Sequence, residues 1–83
     1  MTTLRRVQQL MTRRFGLAEN QLSPGQPLRD LGLDSLAVTE FMFALEEEFA
    51  IRIPYGETEV HTVGDIAAAV ERLARARRAK IAG

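Results

Sequence analysis

The amino-acid sequence predicts an all-α fold: a small bundle of three to four helices, with a long loop between the first two. Three observations carry that reading. Apolar residues recur at three- and four-residue intervals in three separate segments. No segment alternates apolar and polar residues as a half-buried strand does, and no internal repeat is visible. The chain has 83 residues, enough for one domain and not for two.

Residues 3–15 place Leu4, Val7, Leu10, Met11 and Phe15 on one stripe, with Thr3 expected as the N-cap and Gly16 as the stop. Residues 16–33 hold Gly16, Pro24, Gly25, Pro27 and Gly32 and keep no period, so they read as a loop. Leu17, Leu22, Leu28, Leu31 and Leu33 predict that this loop packs back onto the domain. A loop of that length in so short a chain is itself a pointer to function. Asp34-Ser35 opens the second helix, either residue being able to cap it. Leu36, Thr39, Met42, Leu45 and Phe49 are its expected buried face. Phe41 and Phe43 flank that face, so at least one should be partly exposed. The helix should end before Ile51-Arg52-Ile53-Pro54, because proline disfavours helical geometry in the residue before it. Residues 55–61 are given one short helical turn. Thr62-Val63-Gly64-Asp65 resembles a capping box with Asp65 in the usual Glu position. Val63, Ile66, Val70 and Leu73 follow on one face. Beyond Leu73 helical propensity persists without a wide apolar face, so fraying is expected there. The reading is thus one domain over 1–83, with its core at about residues 3–75 and a basic tail at 76–83.

Composition excludes several function classes. Apolar residues at 46% and charged ones at 27% are globular usage, not that of a disordered tail. With no cysteine there is no disulfide, thiolate metal site or cysteine nucleophile, which fits a reducing, cytoplasmic setting. No apolar run approaches the roughly 20 residues of a membrane span. The N-terminus lacks the apolar run of a secretory signal. So small a chain buries only about 60% of its unfolded surface, which leaves little material for a deep catalytic cleft.

Eleven basic and eleven acidic side chains cancel but are segregated. Arg5, Arg6, Arg13 and Arg14 give residues 1–14 a charge of +4. Arg72, Arg75, Arg77, Arg78 and Lys80 give residues 72–80 a charge of +5. All eleven acids lie between them against Arg29 and Arg52, a charge of −9. Such asymmetry bears on partners rather than on fold.

Few residues offer chemistry. His61 is the lone histidine and has no cysteine to serve, so a surface position is its simplest reading. No Gly-rich phosphate loop occurs. Glu46, Glu47 and Glu48 diverge around a helix, so no metal set forms and the run reads as a solvated face. Ser35 stands apart, at the mouth of a helix behind an aspartate, where the helix N-terminus favours negative groups. Nothing adjacent in sequence would activate it as a nucleophile. Local physics allows two roles: a simple N-cap, or a hydroxyl that receives a phosphate-linked group.

The wider pattern favours the second. Leu31-Gly32-Leu33-Asp34-Ser35-Leu36, then Ala44-Leu45-Glu46-Glu47-Glu48-Phe49, then Ile51-Arg52-Ile53-Pro54, closely resembles acyl carrier proteins over nearly the whole chain. The resemblance implies a carrier with no catalytic residues and no metal. A phosphopantetheinyl transferase would attach 4′-phosphopantetheine from coenzyme A to Ser35, with Asp34 and Leu36 flanking the site. The missing cysteine then has a reason, since the thiol arrives with the prosthetic group. The resemblance further implies acyl-loading, ketosynthase-type and acyltransferase-type partners that read Asp34, Leu36, Glu40, Phe43, Glu47 and Tyr55. It places acyl cargo near Leu45, Phe49, Ile53 and Ile66. Ala37 and Tyr55-Gly56 depart from the acids usual at those positions, which suits a specialised pathway with its own partners. Met1 and the chain length predict a freestanding, monomeric carrier. Two rivals are a peptidyl or aryl carrier and a helical interaction module using the Arg-rich C-terminus. Nucleic acid is not expected, because the acidic middle repels phosphate and no aromatic residue sits among the arginines.

Overall fold

The structure is a computed structural model that describes residues 2–54 and 60–82. Its elements run in the order α1 (Thr3–Phe15), two short 3₁₀ turns (Glu19–Gln21 and Leu28–Leu31), α2 (Ser35–Phe49) and α3 (Val63–Ala82). Among the described residues there is no strand, only an isolated bridge between Pro27 and Thr62. The all-α bundle is therefore the fold. Tyr55 and most of the helical turn expected over 55–61 lie outside the described residues.

α1 is amphipathic as its spacing requires, with Val7, Leu10 and Met11 buried and Leu4 and Phe15 packed at the edge. Its cap is Thr2 rather than Thr3: the Thr2 hydroxyl accepts from the Arg5 N–H at 3.2 Å. The two threonines are equivalent by residue type, and only the observed turn distinguishes them. α1 stops at Gly16, as predicted.

The long loop is anchored at both ends. Leu22 and Leu28 are buried, and Leu17, Leu31 and Leu33 pack against the core. The Gln8 amide donates to the Leu22 carbonyl at 2.7 Å. Backbone hydrogen bonds from Leu28 to His61, Val63 to Gln26 and Gly64 to Pro24, at 2.9, 3.1 and 2.8 Å, tie the loop to the start of α3. The last contact explains Gly64, where a Cβ would lie 2.9 Å from the Pro24 carbonyl oxygen.

The buried face of α2 is rotated from the expected one. Phe41, Ala44 and Leu45 are buried, whereas Leu36 is 65% exposed. Phe41 packs on Phe15 with ring centroids 5.4 Å apart. Phe43 is the exposed member of the flanking pair, at 61%. Leu36 sits in the first turn of α2 and lies outside the core cluster. The Glu46–Glu48 run is likewise no uniform solvated face. Glu46 accepts from the Ile53 N–H at 2.7 Å and pins the segment after the helix. Glu48 reaches Arg6 at 3.5 Å and Arg13 at 3.8 Å on α1. Glu47 is exposed and makes no such tie among the described residues. α2 ends at Ala50, in left-handed geometry with φ 54°.

α3 begins with the predicted capping box. The Asp65 N–H donates to the Thr62 hydroxyl at 3.1 Å, while Asp65 Oδ2 accepts from the Thr62 and His61 N–H groups at 3.1 and 2.9 Å. The His61 amide, then the Thr62 groups, hold the Asp65 carboxyl below its ordinary value. A carboxylate held low in the fold adds stability above the ordinary carboxylate range and loses it as pH falls through the lowered pKa. Asp65→Asn is therefore expected to melt at a lower temperature than wild type at neutral pH. Its additional loss of melting temperature on acidification should be smaller, as read by circular dichroism from pH 7 to 2. Val63, Ile66 and Val70 are buried, as expected, with Ala67 beside them. The helix continues to Ala82, well past Leu73.

Candidate functional site

Ser35 occupies the first helical position of α2, and the cap belongs to Asp34. Asp34 Oδ1 accepts from the Ala37 N–H at 2.7 Å, and the Asp34 carbonyl accepts from Val38 at 3.0 Å. Of the two alternatives at the helix mouth, the aspartate takes the capping role and leaves the serine hydroxyl outside it. The N–H groups of Ser35 and Leu36 have no acceptor among the described residues. An exposed primary hydroxyl beside two open amides, at the positive end of a helix, fits a phosphodiester.

The loop sets this geometry. The second 3₁₀ turn ends at Gly32 with φ 76°, a left-handed conformation that a side chain would strain. Leu33 then packs inward while Asp34 and Ser35 remain exposed. Leu28, buried and bonded to His61 at the foot of α3, holds the turn from the other side.

Along α2, Leu36, Glu40, Phe43 and Glu47 follow at intervals of four, three and four residues, the spacing of one helical face. All four are exposed. Two apolar and two acidic side chains thus alternate in one stripe that starts beside Ser35. Leu36 was expected both on the buried face and at the flank of the site; its exposure removes it from the buried face. Past Phe43 and Glu47 the stripe opens on a surface cavity of about 410 Å³ that also involves Glu46, Ile51 and Arg52. Ile51 and Arg52 were not among the expected recognition residues. No periodic signal marks them, because they lie beyond the helix. Tyr55 lies outside the described residues.

The four residues expected near cargo divide into two pairs. Leu45 and Ile66 are 0% and 2% exposed and belong to the core, whereas Phe49 and Ile53 are half-buried at its edge. His61 is exposed, and no cluster of metal-ligating side chains occurs among the described residues.

Fold and site are compatible with a helical carrier whose working group is attached at the mouth of α2. Comparison with known proteins agrees. The family model for the phosphopantetheine attachment site matches residues 5–70, a span that contains Ser35. An acyl carrier protein of Helicobacter hepaticus is 37% identical over 73 residues, covering 86% of this chain and 96% of that protein. The chain belongs to the acyl carrier protein family of phosphopantetheine-binding carriers. Its cofactor is 4′-phosphopantetheine, and it is a carrier rather than a catalyst. Its partners include a phosphopantetheinyl transferase and biosynthetic enzymes. No helix among the described residues is long and apolar enough to cross a membrane.

Proposed function

We propose that Ser35 is the attachment residue and that the chain shuttles acyl groups between enzymes of fatty-acid, polyketide or related specialised biosynthesis. The observation that carries this is the Asp34 cap, which leaves an exposed Ser35 hydroxyl beside open amides. The bound group supplies the terminal thiol that holds an acyl chain as a thioester. Asp34 keeps the helix mouth ordered, and the Ser35 and Leu36 amides receive the phosphodiester. Phe49 and Ile53 form the edge through which an acyl chain would approach Leu45 and Ile66. Intact mass after co-expression with a promiscuous phosphopantetheinyl transferase tests the assignment, because a helical interaction module without a carrier serine would not gain the group.

In this reading partner enzymes dock on the stripe from Leu36 to Glu47 with basic patches of their own. Glu40→Lys and Glu47→Lys should slow loading or acyl transfer several-fold at low ionic strength, with melting temperatures nearly unchanged. Exposed helix charges add roughly 0–1 kcal/mol to stability yet steer association. The defect should shrink in high salt; wild-type rates for both variants in low salt would place recognition elsewhere.

The transferase, in the same reading, does not need the C-terminal segment. Deletion after Arg75 should leave the fold and Ser35 modification intact, since the described side chains beyond Arg75, Ala76 to Arg78, are exposed and none belongs to the core cluster. Amide hydrogen exchange should show weak protection beyond Arg75. Strong protection through Arg78, or loss of modification in the truncated chain, would assign the segment a structural or docking role in loading.

A further inference from the structure

The two basic stretches, far apart in sequence, meet in space. Arg6, Arg75 and Arg78 line one groove of about 440 Å³ together with Thr3, Phe49 and Glu71. The groove lies where α2 ends, roughly 21 Å along that helix from Ser35 at about 1.5 Å per residue. Arg6 stacks over the Phe49 ring at 4.3 Å, which holds its guanidinium in place. Glu48 and Glu71 each engage arginines here, Glu71 meeting Arg75 at 3.7 Å. Among the described residues Arg5, Arg77 and Arg78 make no ion pair, and all three are exposed.

Helix energetics do not account for the cluster. Arg5 and Arg6 sit in the first turn of α1, which has no acid, and cations oppose the dipole there. Bringing them beside the arginines of α3 adds like-charge repulsion. Arg6 and Arg75 have carboxylate partners, but Arg5, Arg77 and Arg78 have none among the described residues, and like charges gathered without partners are a mark of a functional surface.

We propose that this pole is a second docking surface and that it takes a carboxylate-rich segment of a partner protein. Charge complementarity identifies the occupant, because guanidinium forks grip carboxylates in bidentate fashion and clustered charge speeds encounter. The surface is opposite in sign to the α2 stripe and distant from Ser35, so both surfaces can be engaged at once. A bilayer fits less well. Ala74 and Ala76 are the only apolar residues between Leu73 and Arg78, and the groove's aromatic ring, Phe49, is half-buried beneath Arg6.

The test is titration of the full chain with a ten-residue polyglutamate peptide, followed by backbone amide NMR. Saturable binding is expected, with shifts at residues 3–6 and 71–78 and none at 35–40. It should weaken at least tenfold when ionic strength rises from about 0.02 to about 0.2 M. R75Q/R78Q should weaken it about tenfold, whereas R29Q/R52Q, which removes equal charge elsewhere, should change it less than about twofold. R75Q/R78Q spares Arg6 and its contacts to Glu48 and Phe49, so the fold and Ser35 modification should be unaffected. Absence of binding overturns the proposal, as does equal loss in the two double variants. Tighter binding to anionic phospholipid vesicles or to a single-stranded oligonucleotide than to the peptide also overturns it.

Discussion

Replacing Ser35 with alanine is expected to leave a folded protein that never gains phosphopantetheine. The chemical half of this expectation follows from the hydroxyl, since alanine offers no oxygen for a phosphodiester. The structural half follows from the cap. Losing a helix cap costs about 0.5–2 kcal/mol, but that hydrogen bond runs from the Ala37 N–H to Asp34 and survives the substitution. An exposed serine at the first helical position contributes within roughly 0.5 kcal/mol, a small share of a domain stability of about 5–15 kcal/mol. Intact mass should therefore show the prosthetic group on wild type and none on the variant, with superimposable circular dichroism. Asp34→Ala makes the converse comparison: the hydroxyl stays, the cap is lost, and some stability goes with it. Modification that persists in Ser35→Ala, or that maps to Ser23, would defeat the assignment.

Phe41→Ala should be the most damaging single substitution in α2. Phe41 is 2% exposed and stacks on Phe15, joining α1 to α2. Truncating a buried phenylalanine typically costs about 3–5 kcal/mol, through lost transfer energy and the cavity left behind. Few helix-to-helix contacts remain to absorb the loss in a domain this small, so the variant should be partly or wholly unfolded at ambient temperature. Leu36→Ala, at 65% exposure, should change stability by less than about 0.5 kcal/mol. Chemical denaturation of the two variants side by side checks the pair. Comparable losses would mean that Leu36 packs in the core and that the exposed stripe has been misassigned.

That pair of substitutions also separates what was legible in sequence from what was not. The chain by itself determined three helices, the packed-down loop, the capping box at Thr62–Asp65 and the singular position of Ser35. Each rests on interactions within a few residues: periodic burial, a cap three positions away, or proline and glycine backbone limits. The acidic α2 and the two basic ends were equally plain, because charge is a property of residue type. Tertiary structure alone decided which side of α2 is buried. Phe41 and Leu36 both sit near the apolar stripe, and only the positions of α1 and α3 cover the first and leave the second bare. It likewise divided three consecutive glutamates into a backbone anchor, an exposed charge and a clamp on Arg6 and Arg13. Finally, it brought the arginines of both ends to one groove. The contact of Glu48 with Arg6 spans 42 positions along the chain, and no local pattern encodes a distance of that kind.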